Sequence, residues 1–263
     1  MIVNVRITGR GEQTLVLSHG YGGSQSTWDH LLPHLSQSHR LLLFDWNFHG
    51  AGAAGNLSKF SSFAAFADAL IALLDQSRLK AVVFVGHSMS GMIGCIASVK
   101  RPDLFSHLAL VAASPRYLNS DDYEGGFERV EIDNLLSNIE LNFQTWADNF
   151  IALAIGQDDP VAVEKLRKSF KSMKPEIALV LAKTIFLGDM RDVLGKVEVP
   201  STIIQVSNDF VAPVSVGCYM QSRMKGKASL EIIDSDGHFP QLIASQKLLE
   251  VLERVLVHSN KTS

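Results

Sequence analysis

The chain has 263 residues, of which 46% are hydrophobic and 19% are charged, and its formal net charge is −3 at pH 7. This composition can build a large buried core and excludes a disordered chain. The slight negative charge argues against nucleic acid as a partner, because phosphate binding needs clustered Lys and Arg side chains. No apolar run reaches the roughly 18 residues of a membrane span, so we expect no membrane association.

The beginning of the chain and its cysteines indicate a reducing compartment. Residues 1–5 (Met-Ile-Val-Asn-Val) predict a strand and lack the basic-then-apolar pattern of a secretion signal. The two cysteines, Cys95 and Cys218, are too few for a disulfide framework, and we predict both to be buried, reduced thiols on helices. The expected localisation is the cytoplasm and the nucleus.

Short runs of β-branched and aliphatic residues predict seven strands. They cover residues 3–8, 14–17, 40–44, 81–85, 108–112, 202–206 and 230–233. The first two form an opening pair joined through Gly9 and Gly11. Helical periodicity fills the intervals, as in residues 63–74, and residues 241–257 predict a closing helix. The chain is therefore predicted to be an α/β protein, with a mostly parallel sheet flanked by helices.

The middle third of the chain predicts helices without strands. A stripe of apolar residues at helical spacing runs from Ile132 to Leu153, and Pro160 and Pro175 each stand at a predicted first helical position. We interpret residues 116–189 as a helical lid on a core of residues 1–115 and 190–263, within a single domain of residues 1–263. Four aromatic side chains in this insertion favour a lined cavity over plain packing: Phe143, Trp146, Phe150 and Phe186.

A candidate nucleophile follows the fourth predicted strand. Residues 86–90 read Gly-His-Ser-Met-Ser, between that strand and the helix predicted from Met89 to Val99. This context is typical of a nucleophile elbow, in which a sharp turn exposes a serine and its flanking positions must be small. Ser88 is the predicted nucleophile, and Ser90 stands where a second glycine is usual.

The base and the acid are predicted from chain order and from strand position. A serine hydroxyl needs a base, and an α/β-hydrolase supplies its acid and then its histidine after the serine. His238 follows the last strand, whereas His258 lies in the C-terminal tail. Asp209 follows the sixth strand and is the predicted acid. Asp234 and Asp236 remain as alternatives, and Asp189 and Asp192 are assigned to the hinge after the insertion.

The glycine-rich loop at residues 19–23 (His-Gly-Tyr-Gly-Gly) predicts half of an oxyanion hole. The backbone N–H groups of Tyr21 and Met89 are the expected donors. His19 and His87 border tight turns and are interpreted as structural, hydrogen-bonded histidines. The loop lacks the Lys-Ser/Thr of a phosphate-binding loop, and no His/Cys cluster has metal-ligand spacing, so we expect no cofactor and no metal.

These residues resemble the plant strigolactone and karrikin receptors and their bacterial stress-response relative, which are α/β-hydrolases. The resemblance extends from about Val3 to Val257 and is strongest at residues 18–28, 86–94, 101–105, 209–213 and 236–241. Residues 114–119 (Ser-Pro-Arg-Tyr-Leu-Asn) and 123–128 (Tyr-Glu-Gly-Gly-Phe-Glu) are the most specific, because generic esterases lack them.

The resemblance implies a triad of Ser88, Asp209 and His238 under a four-helix, V-shaped lid. It also implies an apolar ligand pocket formed by Tyr21, Tyr117, Phe127, Trp146, Phe150, Phe186 and Phe210. In such relatives the serine attacks a butenolide ester, hydrolysis is slow, and ligand processing is coupled to signalling partners. The implied ligand is a butenolide or another small apolar ester, and the implied partner is an F-box or other signalling protein.

One stretch departs from the family pattern. After Asp45 the receptors usually carry Asn-Met-Gly-Ala-Gly, whereas residues 46–51 here read Trp-Asn-Phe-His-Gly-Ala. This change is similar to the branch called "DWARF14-like two". We expect the triad chemistry to survive it, whereas it weakens the expectation of signalling through an F-box protein.

Overall fold

The computed structural model describes residues 1–48, 57–156 and 159–259, and seven strands of these residues form one sheet. The sheet order is β1-β3-β2-β4-β5-β6-β7, and all neighbours are parallel except β1 and β3. The strands are β1 Ile2–Gly9, β2 Thr14–Ser18, β3 Arg40–Trp46, β4 Val82–His87, β5 Phe105–Val111, β6 Ser201–Asn208 and β7 Ala228–Asp236. Each overlaps one predicted run, so the prediction of a mostly parallel α/β sheet is confirmed.

The structure corrects the prediction that the first two strands form a pair. β1 and β2 are not neighbours, because β3 lies between them and pairs antiparallel with β1 and parallel with β2. Burial explains the arrangement: all five residues of β2 are buried, whereas β1 has no fully buried residue and occupies the edge of the sheet. Parallel interior strands carry near-continuous apolar runs, which suits β2 and not β1.

Helices lie on both faces of the sheet. They are α1 Leu32–Leu35, α2 Phe63–Gln76, α3 Met89–Lys100, α4 Arg129–Ile155, α5 Pro160–Lys171, α6 Pro175–Phe186, α7 Arg191–Leu194, α8 Val214–Arg223, α9 Pro240–Ile243 and α10 Ser245–Ser259. The predicted closing helix is broken in two at Ala244, whose φ of −136° and ψ of 39° are not helical. None of the helices among the described residues combines the length and the apolarity needed to cross a membrane.

Alternate residues of each inner strand pack into different layers of the core. In β2, Leu15 and Leu17 belong to a cluster with residues of α1 and α10 on one face, whereas Val16 belongs to the larger cluster on the other face. Cys95 lies in that larger cluster and is buried as predicted, but Cys218 is exposed and its prediction is wrong. The buried side of α8 is formed by Val216, Gly217 and Met220, so Cys218 faces the opposite way.

The helical insertion, α4 to α6, lies between β5 and β6. Asn142 has φ −153° and ψ 77° and interrupts α4, so the insertion has four helical segments, as the resemblance implies. The Asn142 side chain accepts a hydrogen bond from the Thr145 backbone N–H and caps the second half of α4. At the end of the insertion, Asp189 forms ion pairs with Arg116 at 2.6 Å and with Arg191 at 2.8 Å, which join its two ends.

Candidate active site

Ser88 occupies the turn between β4 and α3 in a strained backbone conformation. Its φ is 54° and its ψ is −122°, a region that non-glycine residues rarely adopt. A Cβ on Gly86 would lie 2.7 Å from the Ser90 carbonyl oxygen, so only glycine fits where β4 and α3 approach each other. The Ser88 N–H donates to the Val111 carbonyl at 2.8 Å. The sharp turn therefore places the serine just beyond the carboxyl end of β4.

Asp209 and His238 reach Ser88 from the ends of two neighbouring strands. Carboxyl ends of parallel strands meet at the same sheet edge, and β6 and β7 deliver these residues to the edge where β4 ends. His238 Nε2 lies 2.9 Å from Ser88 Oγ, and His238 Nδ1 lies 2.7 Å from Asp209 Oδ2. All three residues are at least 94% buried, being 6%, 5% and 3% exposed for Ser88, Asp209 and His238. This is the geometry of a nucleophile, a base and an orienting carboxylate.

Backbone N–H groups hold the second oxygen of the Asp209 carboxylate. Asp209 Oδ1 accepts from the Val211 N–H at 2.8 Å and from the Ala212 N–H at 3.2 Å. These two donors fix the carboxylate plane, so Oδ2 remains directed at His238. Hydrogen bonds from neutral donors also stabilise the charged carboxylate in its buried position.

The loop that carries His238 is docked on the helical insertion. The His238 N–H donates to the Ala154 carbonyl near the end of α4 at 2.6 Å, and the Gly237 N–H donates to Asn208 at 2.9 Å. A Cβ on Gly237 would lie 2.1 Å from the Ile155 carbonyl oxygen, and its φ of 92° also favours glycine. The position of the histidine thus depends on α4 as well as on β7.

The alternative acids lie elsewhere. The Asp234 side chain is 97% exposed, and Asp236 accepts a hydrogen bond from Asn208 Nδ2 at 2.7 Å. Asp189 is engaged with the two arginines at the ends of the insertion, and Asp192 is exposed in α7. Of these five carboxylates, Asp209 is the one whose side chain lies within hydrogen-bond distance of the His238 ring in the described part of the chain.

His87 is fully buried beside the site, and its ring holds the loop that carries His238 through a hydrogen bond. Its Nε2 lies 2.8 Å from the His238 carbonyl oxygen, to which it donates. Burial, followed by the repulsion of a positive charge on His238, lowers the pKa of His87 well below the usual value of 6.5. The neutral, hydrogen-bonded state agrees with the structural role predicted for this residue.

Stability should therefore fall in acid because of His87. The unfolded chain takes up a proton on this side chain below about pH 6.5, whereas the folded protein resists it, so the unfolded state binds more protons there. We expect His87→Gln to reduce the slope of unfolding free energy against pH, between pH 5 and 6, by up to about 1.4 kcal/mol per pH unit. Urea unfolding at several pH values measures this slope, and equal slopes for the two proteins would contradict the prediction.

The glycine-rich loop lies directly against Ser88. A Cβ on Gly20 would be 3.0 Å from Ser88 Cβ and 2.8 Å from His87 Nδ1, so the loop backbone approaches the turn as closely as glycine allows. Met89 is the first residue of α3, where N–H groups have no helical partner. The Tyr21 hydroxyl donates to the Ala178 carbonyl of α6 at 2.9 Å, and burial raises the pKa of this phenol. The two predicted oxyanion donors, the backbone N–H groups of Tyr21 and Met89, thus belong to segments that adjoin the serine.

The predicted pocket residues fall into two groups. Tyr21, Tyr117, Phe150 and Phe186 line a small cavity at Ser88 and His238, with a volume of about 10 Å³. This volume is close to the minimum that one water molecule requires. Phe127, Trp146, Phe150 and Phe210 line a separate outer groove of about 440 Å³ along α4. Phe150 borders both spaces, so its side chain separates the groove from the serine.

No motif in the sequence points to several residues of the cavity wall, or to Phe170, which packs behind that wall. Phe170 of α5 is fully buried and packs its ring on Tyr21 at 5.3 Å and on Phe150 at 5.8 Å between ring centroids. The spacing of Ala162, Leu166 and Phe170 on α5 signalled a buried helix face, but not what it faces. The cavity wall also contains His87, Ile185, Val211 and Phe239, which no motif distinguishes from ordinary core. Within the described residues, no group of three or more His, Cys, Asp or Glu side chains is placed to hold a metal ion.

Comparisons with known proteins place this geometry in a family. Residues 13–174 match the model of the alpha/beta hydrolase fold. The karrikin insensitive 2 receptor IA of Petunia hybrida is 41% identical, covering 98% of this chain and 95% of its own, and the strigolactone esterase D14 of Arabidopsis thaliana is 39% identical, covering 97% and 96%. The solved structure of the hydrolase olei00960 from Oleispira antarctica aligns with a TM-score of 0.91 at 30% identity, covering 96% of this chain and 93% of that one. The chain therefore belongs to the α/β-hydrolases and, among them, to the family of strigolactone and karrikin receptors.

Proposed function

We propose that this protein is a serine hydrolase that acts slowly on butenolides or other small apolar esters and has a role in hormone perception. The observation that carries the proposal is the hydrogen-bonded line from Ser88 Oγ through His238 to Asp209, at 2.9 Å and 2.7 Å. Ser88, at one end of this line, faces a small cavity. Its aliphatic and aromatic walls favour apolar ligands.

The proposed reaction has two steps. Ser88 Oγ attacks the ester carbonyl while His238 Nε2 takes its proton, and the C–O bond to the leaving alcohol breaks as His238 returns that proton to the leaving oxygen. Water then attacks the acyl-serine while His238 takes one of its protons, and the acyl C–Oγ bond breaks as His238 gives that proton to Ser88 Oγ, releasing the acid and the free serine. The N–H groups of Tyr21 and Met89 would hold the oxyanion in both steps.

The small cavity supports slow turnover. A volume of about 10 Å³ cannot hold an ester, so a ligand must displace side chains such as Phe150 or Phe186 before it reaches Ser88. Phe150 belongs to the same helix as Ala154, whose carbonyl holds the His238 N–H. Ligand entry therefore disturbs the element on which the base is docked.

This coupling favours a second candidate function. In this candidate function the protein is a ligand-sensing receptor and hydrolysis is incidental. An F-box or other signalling partner, in the cytoplasm or nucleus, would recognise α4 after a ligand has displaced it. The relatives named above as a karrikin insensitive receptor and a strigolactone esterase support both candidates. A metabolic carboxylesterase without signalling is the remaining alternative.

Intact-mass analysis of the unmodified protein tests the proposal. The protein would be incubated with a fluorogenic butenolide and, separately, with p-nitrophenyl acetate, while product release is followed by fluorescence or absorbance. The proposal predicts product together with a mass increase equal to the acyl or ring fragment. Absence of both product and adduct with either ester would overturn it.

The same samples distinguish the candidates. A long-lived adduct after one turnover, with a changed melting temperature, supports the receptor. Repeated turnover with an unchanged melting temperature supports the metabolic esterase. Ligand-dependent capture of a partner protein by the adduct, and not by the ligand-free protein, is the result that the receptor alone predicts.

A further inference from the structure

Four fully buried residues join the ends of β2 and β3 to the turn that carries Ser88. Trp46 Nε1–H donates to Ser90 Oγ at 3.0 Å, and the Ser18 hydroxyl donates to the same oxygen at 2.9 Å. Ser90 Oγ in turn donates to the His19 carbonyl at 2.6 Å. A hydroxyl has one proton and two lone pairs, so the Ser90 hydroxyl is saturated. Ser18, His19, Trp46 and Ser90 are all 0% exposed, so water cannot replace a lost partner.

The same tryptophan fixes the protonation of His19. The Trp46 backbone N–H donates to His19 Nε2 at 3.0 Å. A backbone amide can only donate, so Nε2 must be unprotonated and the proton of the neutral ring is on Nδ1. His19 Nδ1 lies 2.9 Å from the Gly20 carbonyl oxygen and therefore donates to it. The Gly23 N–H donates to that oxygen as well, at 3.2 Å.

Holding the Gly20 carbonyl determines the direction of the Tyr21 N–H. The two groups belong to one peptide unit, which is planar and trans, so the C=O and the N–H point in opposite directions. The hydrogen bonds from His19 and Gly23 on one side of the peptide thus aim the predicted oxyanion donor on the other. Ser90 holds the preceding peptide unit, between His19 and Gly20, by donating a hydrogen bond to the His19 carbonyl.

We propose that Trp46 and Ser90 are positioning residues that preorganise the oxyanion hole, acting through His19 on the Tyr21 N–H. Neither touches the reacting atoms. The inference rests on the proposed serine chemistry, because an aimed N–H matters only if an oxyanion forms. Residues 49–51, which complete the departure after Asp45, lie outside the described residues.

The test is a double-mutant cycle of Ser90→Ala and Trp46→Phe. We expect Ser90→Ala to lower kcat for p-nitrophenyl acetate by about 10- to 100-fold. Without the bond to the His19 carbonyl, the loop can shift by a fraction of an ångström, and the Tyr21 N–H then no longer points at the oxyanion of the transition state. Its KM should change by less than about twofold, since the apolar cavity is untouched. Trp46→Phe should lower kcat less, by roughly 3- to 10-fold, and should add little in the Ser90→Ala background, because it acts through the same hydroxyl.

Trp28→Phe is the matched control. Trp28 is also 0% exposed, but its Nε1–H has no hydrogen-bond partner within the described residues, so this variant removes the same atoms without removing a hydrogen bond. Its kcat should stay within about twofold of the parent.

Three results would overturn the inference while the proposed function stands. They are an unchanged kcat in folded Ser90→Ala, equal effects of Trp46→Phe and Trp28→Phe, or independent effects of Trp46→Phe and Ser90→Ala. Melting temperatures show which variants are folded, and Trp46→Phe keeps the test valid if Ser90→Ala is unstable. Persistent turnover in a Ser88→Ala protein would instead overturn the serine chemistry itself.

Discussion

Replacing Ser88 by Ala is expected to abolish covalent labelling by a fluorophosphonate and to lower kcat for p-nitrophenyl acetate by about 10⁴-fold or more. Ser88 Oγ lies 2.9 Å from His238 Nε2, the nitrogen proposed to take its proton, and the Tyr117 hydroxyl lies 3.4 Å from Ser88 Oγ. Burial raises the pKa of the Tyr117 phenol, and its hydrogen-bond partner among the described residues is Ser88 Oγ and not a base, so we do not expect this hydroxyl to replace the serine. Intact-mass analysis after labelling and initial-rate kinetics measure the two losses.

Ser98→Ala provides the matched control for this change. Ser98 lies on α3, ten residues after Ser88, is 2% exposed, and its hydroxyl donates to the Cys95 carbonyl at 2.8 Å within the helix. Removing that hydroxyl should leave labelling and kcat unchanged. Stoichiometric labelling of the Ser88→Ala protein would show that another residue is the nucleophile.

The sequence predicted those parts of the site that depend on strand ends and chain order. Parallel strands bring their carboxyl ends to one edge, so Ser88, Asp209 and His238 could be placed together once the strands before them were recognised. The Gly86 requirement followed from the same local turn. These features depend on short segments, whose composition determines their conformation.

Features that depend on packing between distant segments could not be predicted from the sequence. The cavity wall brings together Phe150 and Phe186 from two helices of the insertion, and Phe170 from a third helix packs on Phe150. The predicted pocket is divided between a cavity and a groove, and Phe150 borders both of them. Hydrophobic periodicity shows that such residues face inward, but not which of them meet.

Hydrogen bonds across the fold were equally absent from the sequence pattern. The contact of Ala154 with the His238 N–H joins residues 84 positions apart through backbone atoms, which carry no side-chain signature. The hydrogen bond from the Trp46 indole to Ser90 likewise requires the end of β3 and the start of α3 to be adjacent, which no local pattern shows. In both cases the interaction is specified by the backbone geometry that the rest of the chain builds.

Asp209→Asn is expected to lower kcat by about 10⁴-fold with little change in KM, by reversing the tautomer of His238. In the parent protein Asp209 Oδ1 accepts from the Val211 and Ala212 N–H groups, and Oδ2 accepts from His238 Nδ1. In the variant the amide oxygen must face the two N–H donors, so the amide NH₂ faces His238. His238 Nδ1 then becomes the acceptor, the proton moves to Nε2, and Nε2 can no longer take the proton of Ser88.

This mechanism makes the histidine tautomer the decisive measurement. Nitrogen NMR of the ring should show the proton on Nδ1 in the parent and on Nε2 in Asp209→Asn, a change that a merely destabilised protein would not show. Asp234→Asn makes the same chemical change on a side chain that is 97% exposed, and it should alter neither the tautomer nor kcat. If Asp209→Asn kept more than about a tenth of the parent kcat, or if its ring proton stayed on Nδ1, the carboxylate would not be what orients the base, and the acid would have to be sought elsewhere.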